Sequence, residues 1–283
     1  MSRSVVVTGA NSGIGLATAL ELAGAGFAVT GTVRSPDKAE ALRGQASDRG
    51  LTVDTAVLDV TDAESTAAGF ATIAARTDIW AVVNNAGIAQ AGSVEDVTDE
   101  EVRDQLEVNL VAPARIARLV LPGMRKRGGG RIVNVSSIAG RISLPLMGWY
   151  CASKHGLEAM TDALRMEVAP YGIAVSLVEP GSFGTGIWGS ARYPDAPATE
   201  EYAAGYARAR SSTTGGGMAR AMPDPVWVAR TVRLALSSPV PLARYLVGFD
   251  AVGGLVAERL VPTALTDMVK EVASGLRRLP LRS

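Results

Sequence analysis

Tyr150 and Lys154 are two residues whose types and spacing suggest general acid–base chemistry. They stand in the stretch WYCASKHGL, which begins a helical pattern, and side chains four positions apart are neighbours on one helix face. A free tyrosine has a pKa near ~10 and is a poor base at neutral pH, whereas a nearby ammonium favours the phenolate. We therefore predict that Lys154 lowers the pKa of Tyr150 toward neutrality, so that the phenol can act as a general acid and base.

A glycine-rich stretch, VVVTGANSGIG, joins the first apolar run of the chain to its first helical pattern. Gly9, Gly13 and Gly15 permit a tight turn and a close approach of the backbone to a pyrophosphate at the helix N-terminus. No lysine follows, as it would in a nucleotide-triphosphate loop. The position after an N-terminal strand favours dinucleotide binding over a glycine-rich turn without a ligand.

The end of the second predicted strand indicates which dinucleotide binds. A fold that binds NAD places an acidic residue there to hold the ribose 2′-hydroxyl, but this chain has Val33, followed by Arg34 and Ser35. Because a guanidinium binds phosphate in a bidentate manner, the sequence favours NADP over NAD, with a solvated Arg34 as the alternative. Asp59 ends the third strand, where it either accepts from the adenine amine or caps the next helix, for which Asp62 is a second candidate.

Short apolar runs alternate with amphipathic helical stretches, which predicts parallel strands joined by right-handed crossovers. The predicted strands are 4–9, 27–33, 52–60, 79–87, 130–137, 173–181 and 244–248, and the predicted helices are 13–25, 36–49, 62–76, 99–127, 149–170 and 224–236. The expected fold class is α/β: a single Rossmann-type, doubly wound domain over residues 1–283, with a seven-stranded, mostly parallel sheet and helices on both faces.

Two segments depart from this alternation. The first, about residues 186–225, is rich in Gly, Ala, Pro, Ser and Thr and follows the sixth strand, which predicts a substrate lid, with a disordered surface excursion as the alternative. The second is an apolar C-terminal extension at about 250–283 with a basic end. We expect this extension to pack on the pocket or on a partner subunit rather than on a membrane surface.

The composition argues against several other classes of protein. The chain has 28 basic and 28 acidic residues, so no broad field attracts nucleic acid or an anionic membrane. One cysteine, Cys151, and one histidine, His155, are too few for the usual zinc cages, so we predict no metal site and a structural role for both. No G-x-S-x-G turn supports a serine hydrolase. With no signal-peptide pattern and no long apolar run, we expect a cytoplasmic protein without stable membrane anchoring.

Four motifs in order resemble the short-chain dehydrogenase/reductase family over about residues 4–250: TGANSGIG at 8–15, NNAG at 84–87, a serine ahead of Y-x-x-x-K, and EPGSFGT at 179–185. The later part of the chain looks closer to the hydroxysteroid- and retinol-dehydrogenase-like branch. The resemblance implies an oxidoreductase with Asn109, Ser137, Tyr150 and Lys154 as its catalytic residues. Ser137 would stabilise developing oxyanion charge, and Tyr150 would exchange a proton with the substrate while hydride moves to or from a nicotinamide.

The resemblance also implies, position by position, which residues contact the dinucleotide. These are Gly9, Asn11, Ser12, Gly13, Ile14, Gly15, Arg34, Ser35, Asp59, Val60, Asn85, Ala86, Gly87, Tyr150, Lys154, Pro180, Gly181, Phe183 and Thr185. Within this set Ile14 is expected to pack under the nicotinamide, and the backbone of Phe183 to bind the carboxamide. Thr185 is expected to bind the amide or the pyrophosphate.

The implied activity is NADP(H)-dependent interconversion of a secondary alcohol and a ketone, or of a primary alcohol and an aldehyde. A lipophilic small-molecule substrate, such as a steroid, a retinoid or a polyketide ketone, is favoured. A thioester-borne or anionic keto substrate is the alternative, because Arg192, Arg208, Arg210 and Arg220 lie around the predicted lid. A dinucleotide-binding regulator without turnover is a third possibility, which the intact Ser, Tyr and Lys argue against.

Two further expectations concern the helix predicted at 99–127. Together with the helix at 149–170 it carries more apolar residues than one sheet contact buries, which predicts a homodimer or homotetramer through these helices. Inside it, Pro113 has no N–H, so the carbonyl of Asn109 loses its helix partner. We predict that an ordered water links this carbonyl to Lys154 in a proton relay; the alternative is that Pro113 only bends the helix.

Overall fold

The structure is a computed structural model that describes residues 2–184, 199–214 and 222–277. Seven strands form one sheet in the order β3-β2-β1-β4-β5-β6-β7, and neighbouring strands pair in parallel. The strands are β1 (Ser4–Val7), β2 (Ala28–Val33), β3 (Asp54–Val57), β4 (Ile79–Asn84), β5 (Gly130–Val135), β6 (Ile173–Pro180) and β7 (Arg244–Val247). The predicted seven-stranded Rossmann-type sheet is therefore confirmed.

Helices cover both faces of the sheet, as a doubly wound fold requires. They are α1 (Gly13–Gly24), α2 (Pro36–Ser47), α3 (Ala63–Arg76), α4 (Asp99–Leu106), α5 (Ala112–Arg127), α6 (Gly148–Val168), α7 (Ala203–Thr214), α8 (Val226–Ser237), α9 (Phe249–Leu260) and α10 (Thr263–Ser274). Buried residues of α1, α2 and α8 form one hydrophobic core with the sheet, and buried residues of α3, α5 and α6 form a second.

The alternation of side chains along β1 explains how one strand serves both cores. Val5 and Val7 belong to the core with α1, α2 and α8, whereas Val6 belongs to the core with α3, α5 and α6. All three are fully buried. A strand that is buried on both faces has to be apolar at consecutive positions, which is the pattern that the sequence shows.

The stretch predicted as one helix, 99–127, is interrupted, so that prediction is wrong in detail. It consists of α4, a π-helical turn at Glu107–Val111, and α5, and the Ala112 N–H donates to the Glu107 carbonyl across the wider turn. Pro113 lies in the first turn of α5 and has no N–H to donate. A π turn changes the hydrogen-bond spacing just before the proline, and single π turns of this kind are frequent at functional sites.

The predicted lid and C-terminal extension pack on the rest of the domain where the structure describes them. In α7, the Tyr206 hydroxyl donates to Asp96 (2.7 Å) and accepts from the Ser93 N–H (2.8 Å). A side chain at Gly254 of α9 would contact Ile142, in the turn after β5. Residues 186–198 and 215–221 of the predicted lid lie outside the described residues. Among the helices that are described, none is both long and apolar enough to cross a membrane.

Candidate active site

A cleft of about 550 Å³ opens at the carboxyl ends of the parallel strands. It is lined by most of the residues that the sequence predicted for the site: Gly9, Asn11, Ser12, Gly13, Ile14, Gly15, Arg34, Asp59, Val60, Asn85, Ala86, Gly87, Ser137, Tyr150, Lys154, Pro180, Gly181 and Phe183. Three predicted residues do not contribute to this lining as described. Ser35 is the N-cap residue of α2, Asn109 lies behind the cleft, and Thr185 is outside the described residues.

The glycine-rich loop has the geometry of an anion-binding turn. Gly9 (φ 64°) and Gly13 (φ 52°) adopt left-handed backbone conformations, which favour glycine. A Cβ at Gly15 would lie only 2.2 Å from the Gly9 carbonyl oxygen and 2.4 Å from Asn85 Nδ2. Ser12 is the N-cap residue of α1 but makes no side-chain capping bond, so no side-chain oxygen of Ser12 occupies the first-turn amides. These features fit a pyrophosphate at the helix N-terminus.

Thr8 joins the glycine-rich loop to the NNAG motif, and the sequence analysis missed it. Its hydroxyl accepts from the backbone N–H groups of Asn85 (2.9 Å) and Ala86 (3.0 Å). In return, Asn85 Nδ2 donates to the carbonyl of Thr8 at 2.9 Å. Thr8 is the first residue of the motif TGANSGIG, so the signal for it was present, but its partners are distant in sequence.

Arg34 and Asp59 line the outer part of the cleft. Arg34 is exposed and makes no hydrogen bond or salt bridge to a described residue. Asp59 accepts from the N–H (2.9 Å) and the hydroxyl (2.8 Å) of Thr61, whereas Asp62 is the residue that caps α3. Burial raises the pKa of Asp59, but the two bonds from Thr61 and the charge of Arg34 outweigh it, so the pKa lies below its usual value. Asp59 is therefore ionised at neutral pH.

Ser137, Tyr150 and Lys154 are brought together at the inner end of the cleft. Tyr150 and Lys154 project from the first two turns of α6, and Ser137 follows the end of β5. All three are buried. Lys154 Nζ donates to the carbonyl of Val135 at 3.1 Å and lies 5.9 Å from the centroid of the Tyr150 ring. The N–H of Ala139 donates to Ser137 Oγ at 3.2 Å and orients the serine.

Burial shifts the pKa values of Tyr150 and Lys154, and the shift of Tyr150 is opposite to the prediction. Burial raises the pKa of Tyr150 to about 12, although a hydrogen bond with Ser137 acts in the opposite direction. The prediction that Lys154 lowers this pKa toward neutrality is therefore wrong for the structure, because burial dominates the effect on the phenol. Burial also lowers the pKa of Lys154 to about 8, while the charge of Glu158 raises it.

Asn109 holds the loop after β4 rather than lining the cleft. Its Oδ1 accepts from the Ile88 N–H (3.0 Å), and its Nδ2 donates to the Ile88 carbonyl (2.9 Å) and to Ser153 Oγ (3.0 Å). Ser153, which the sequence analysis missed, donates in turn to the carbonyl of Tyr150 at 2.8 Å. A Cβ at Gly87 would lie 3.3 Å from Asn109 Oδ1 and 3.8 Å from Lys154 Nζ, so the glycine leaves space between these two groups.

Three residues close to the site, Cys151, His155 and Asp250, do not line the cleft. Cys151 is buried next to Tyr150, and His155 Nδ1 lies 2.9 Å from the carbonyl of Cys151. Asp250 Oδ2 accepts from the N–H of Ser182 at 2.6 Å, which fixes the loop between Gly181 and Phe183. Within the residues that the structure describes, no group of three or more His, Cys, Asp or Glu side chains is placed to hold a metal ion.

The fold and the site together define a class of protein. The family model for short chain dehydrogenase matches residues 3–195, and the chain belongs to this family, as its motifs predicted. It is 35% identical to 17-beta-hydroxysteroid dehydrogenase type 6 of Homo sapiens over 279 residues, which cover 94% of this chain and 86% of the relative. The chain is thus a short-chain dehydrogenase with a hydroxysteroid dehydrogenase among its relatives.

Two solved structures support the same assignment. A short-chain dehydrogenase from Streptomyces avermitilis has a TM-score of 0.81 and 35% identity, and the match covers 98% of this chain and 99% of that one. An actinorhodin polyketide ketoreductase with NADPH has a TM-score of 0.75 and 32% identity over 88% of this chain and 97% of that one.

Proposed function

We propose that this chain is an NADP(H)-dependent oxidoreductase that interconverts a secondary alcohol and a ketone, or a primary alcohol and an aldehyde, with Tyr150 as the acid and base. One observation carries the proposal: Ser137, Tyr150 and Lys154 are buried together at the inner end of a cleft whose outer end is a glycine-rich helix N-terminus. The cleft residues and the uncapped α1 amides fit a dinucleotide. When bound, NADP(H) supplies or accepts the hydride.

The side chains of the chain itself supply the proton and stabilise charge. With a pKa raised to about 12 by burial, the Tyr150 phenol is protonated at neutral pH, which suits donation to the oxygen of a ketone. Ser137 stabilises negative charge that develops on this oxygen. The Lys154 ammonium favours the phenolate that remains after donation, and its bond to the Val135 carbonyl keeps it beside the ring.

The proposed preference for NADP over NAD depends on Arg34. The exposed guanidinium lines the cleft and makes no hydrogen bond or salt bridge to a described residue. No acidic residue stands at Val33, where the end of β2 would present one to a ribose 2′-hydroxyl. The similar ketoreductase structure with NADPH is consistent with this choice.

The proposed substrate is lipophilic. Ala89, Ala139 and Cys151 form a small buried cluster with Tyr150, and Leu144 and Met147 pack against it, so the surroundings of the phenol are apolar. The names of the similar proteins, a hydroxysteroid dehydrogenase and a polyketide ketoreductase, agree with such a substrate. The alternative is an anionic or thioester-borne keto substrate, which the exposed Arg208 and Arg210 of α7 would favour. Arg192 and Arg220 lie outside the described residues.

Loss of NADPH absorbance against a panel of steroid, retinoid, aliphatic and thioester-borne carbonyl compounds tests the activity and the substrate class together. Tyr150→Phe should reduce turnover by roughly 10²-fold or more and weaken NADPH binding far less, because it removes the proton donor but keeps the ring that lines the cleft. Tyr171→Phe, at an exposed tyrosine, is the matched control. Tight NADPH binding without turnover on any compound would instead support a dinucleotide-binding regulator.

We also propose that the protein is a homodimer or homotetramer through the face formed by α4, α5 and α6. Most apolar residues of α5 pack on the sheet. On the same face of the domain, Val111 before α5 (37% exposed), Leu119 in α5 (38%) and Met166 in α6 (67%) remain on the surface. Light scattering at micromolar concentration should show an assembly, and Met166→Lys should weaken it. A wild-type monomer would contradict the proposal.

The proposed proton relay uses the Asn109 carbonyl, an ordered water and Lys154. Two features support the relay. Asn109 lies in the π turn before Pro113, and the space beside Gly87 lies next to both Asn109 Oδ1 and Lys154 Nζ. A high-resolution crystal structure should contain a water within hydrogen-bonding distance of the Asn109 carbonyl and of Lys154 Nζ. A carbonyl that accepts a backbone N–H and has no water beside it would exclude this relay.

A further inference from the structure

A cluster of buried and half-buried charges lies directly behind the catalytic residues. We name it the carboxylate–arginine cluster; it comprises Arg141, Glu158, Asp162, Glu179 and Arg244. Arg244 Nε lies 3.3 Å from Glu158 Oε2 and 3.1 Å from Glu179 Oε1, and its Nη2 pairs with Asp162. Arg141 Nη1 lies 3.2 Å from Glu179 Oε1. None of these five residues was predicted from the sequence to have a role.

The burial of the carboxylates makes this cluster unusual. Glu179 is 1% exposed and Glu158 is 5% exposed. Two carboxylates removed from water strongly disfavour ionisation unless cations and hydrogen bonds compensate them. Arg244 contacts both and Arg141 contacts one, so the arginines offset the repulsion between the two acids.

The cluster connects the elements that carry the site. Glu158 stands one helical turn after Lys154 on α6, and Glu179 directly precedes Pro180 on β6. Arg141 ends the short turn that begins after Ser137, and Arg244 begins β7. The cluster therefore joins α6, β6, β7 and residues 136–141, which we call the serine loop, within one set of ion pairs.

Electrostatic coupling links the cluster to the catalytic lysine. Burial lowers the pKa of Lys154, and the charge of Glu158 is the effect that raises it again. Glu158 faces Lys154 and Asp162 on its own helix, Ser136 on the serine loop, Glu179 on β6 and Arg244 on β7. Burial raises the pKa of Glu158 to about 7; Ser136 and Arg244 act to lower it, and Glu179 acts to raise it. The charge that supports Lys154 thus depends on the arginine behind it.

We propose that Glu158 is a positioning residue for the catalytic centre, and that its charge, favoured by the ion pair with Arg244, increases the fraction of Lys154 in the ammonium form near neutral pH. This role rests on the proposed function, in which the ammonium of Lys154 supports the phenolate of Tyr150. Glu158 does not line the cleft itself, so its effect on the reaction passes through Lys154.

The experiment is a direct titration of Lys154, which does not require activity. The chain contains only four lysines, Lys38, Lys126, Lys154 and Lys270, so protein labelled with [ε-¹³C]lysine gives few side-chain NMR signals. Lys154→Arg identifies the Lys154 signal by its absence. Glu158→Gln removes the charge with little change in shape, and Glu167→Gln makes the same substitution at an exposed position of the same helix.

In Glu158→Gln the Lys154 signal should titrate about one pH unit below its position in the wild type, whereas Glu167→Gln should leave it unchanged. If the ketone assay yields turnover, the alkaline limb of its pH profile should move in the same direction in Glu158→Gln. An unchanged Lys154 titration in folded Glu158→Gln would overturn the proposal even where NADPH-dependent turnover is observed. Conversely, a shifted titration without turnover on any substrate would leave the coupling established and refute only the proposed function.

A second measurement avoids the variant, in case it does not fold. In the wild type, the Lys154 signal should deviate from a one-site titration curve, because Glu158 ionises within about one pH unit of Lys154 and the two charges interact. The signal of Lys38, far from the cluster in sequence, serves as the reference. A Lys154 titration that follows a one-site curve would refute the coupling.

Discussion

Replacement of Arg34 by alanine tests the cofactor preference with two separate measurements. Arg34 makes no hydrogen bond or salt bridge to a described residue, and its side chain is exposed. The free energy of unfolding should therefore change by less than about 0.5 kcal/mol in Arg34→Ala. Loss of a charge-assisted contact to a 2′-phosphate should weaken NADPH binding by roughly 1–3 kcal/mol, or about 5- to 150-fold in Kd, and spare NADH.

Asp59 determines where in this range the effect should fall. It lines the same cleft, is ionised at neutral pH, and interacts with the charge of Arg34. Without Arg34, this carboxylate repels a 2′-phosphate, so the loss of NADPH affinity should lie in the upper part of the range. Asp59→Asn in the Arg34→Ala background should then recover part of the affinity for NADPH and change that for NADH much less.

The assay is direct titration of wild type and variants with NADPH and NADH, followed by cofactor fluorescence. Arg49→Ala, at an exposed arginine that does not line the cleft, is the matched control and should alter neither affinity. A wild type that prefers NADH, or an Arg34→Ala variant that loses both cofactors equally, would refute the assignment of Arg34 to the 2′-phosphate.

Three further predictions concern the loop, the buried cluster and α7. Gly15→Ala should nearly abolish dinucleotide binding in titrations, because its Cβ would lie 2.2 Å from the Gly9 carbonyl oxygen; normal binding would show that the loop moves freely. The pKa of Glu158 is raised to about 7 by burial, so the folded wild type binds more protons than the unfolded chain between about pH 4.5 and 7, and loses stability as pH rises through that window. The melting temperature of Glu158→Gln relative to wild type should therefore increase from pH 5 to pH 8, and a constant difference would contradict the shift. Tyr206→Phe removes two hydrogen bonds of a buried hydroxyl and should destabilise the fold by about 1–3 kcal/mol in urea unfolding; an unchanged midpoint would show that α7 is not held through Tyr206.

Local patterns in the sequence were sufficient to predict the fold class and most of the residues that line the cleft. The consecutive apolar residues of β1 predicted a strand buried on both faces, and the glycines that follow it predicted the turn into α1. In a parallel sheet the carboxyl ends of the strands meet at one edge, so strand ends far apart in the chain were placed together before any distance was known. Tyr150 and Lys154 were paired by helical spacing alone.

The tertiary structure decided the features that depend on burial and on contacts between distant residues. The sequence suggested that Lys154 lowers the pKa of Tyr150, but only the folded structure shows how completely the phenol is desolvated, and this desolvation raises the pKa to about 12. Arg244 and Glu158 are 86 positions apart, and no periodicity relates them. Hydrophobic spacing records which face of an element is buried, whereas desolvation and ion pairing depend on what the other elements bring to that face, and only the packed structure determines this.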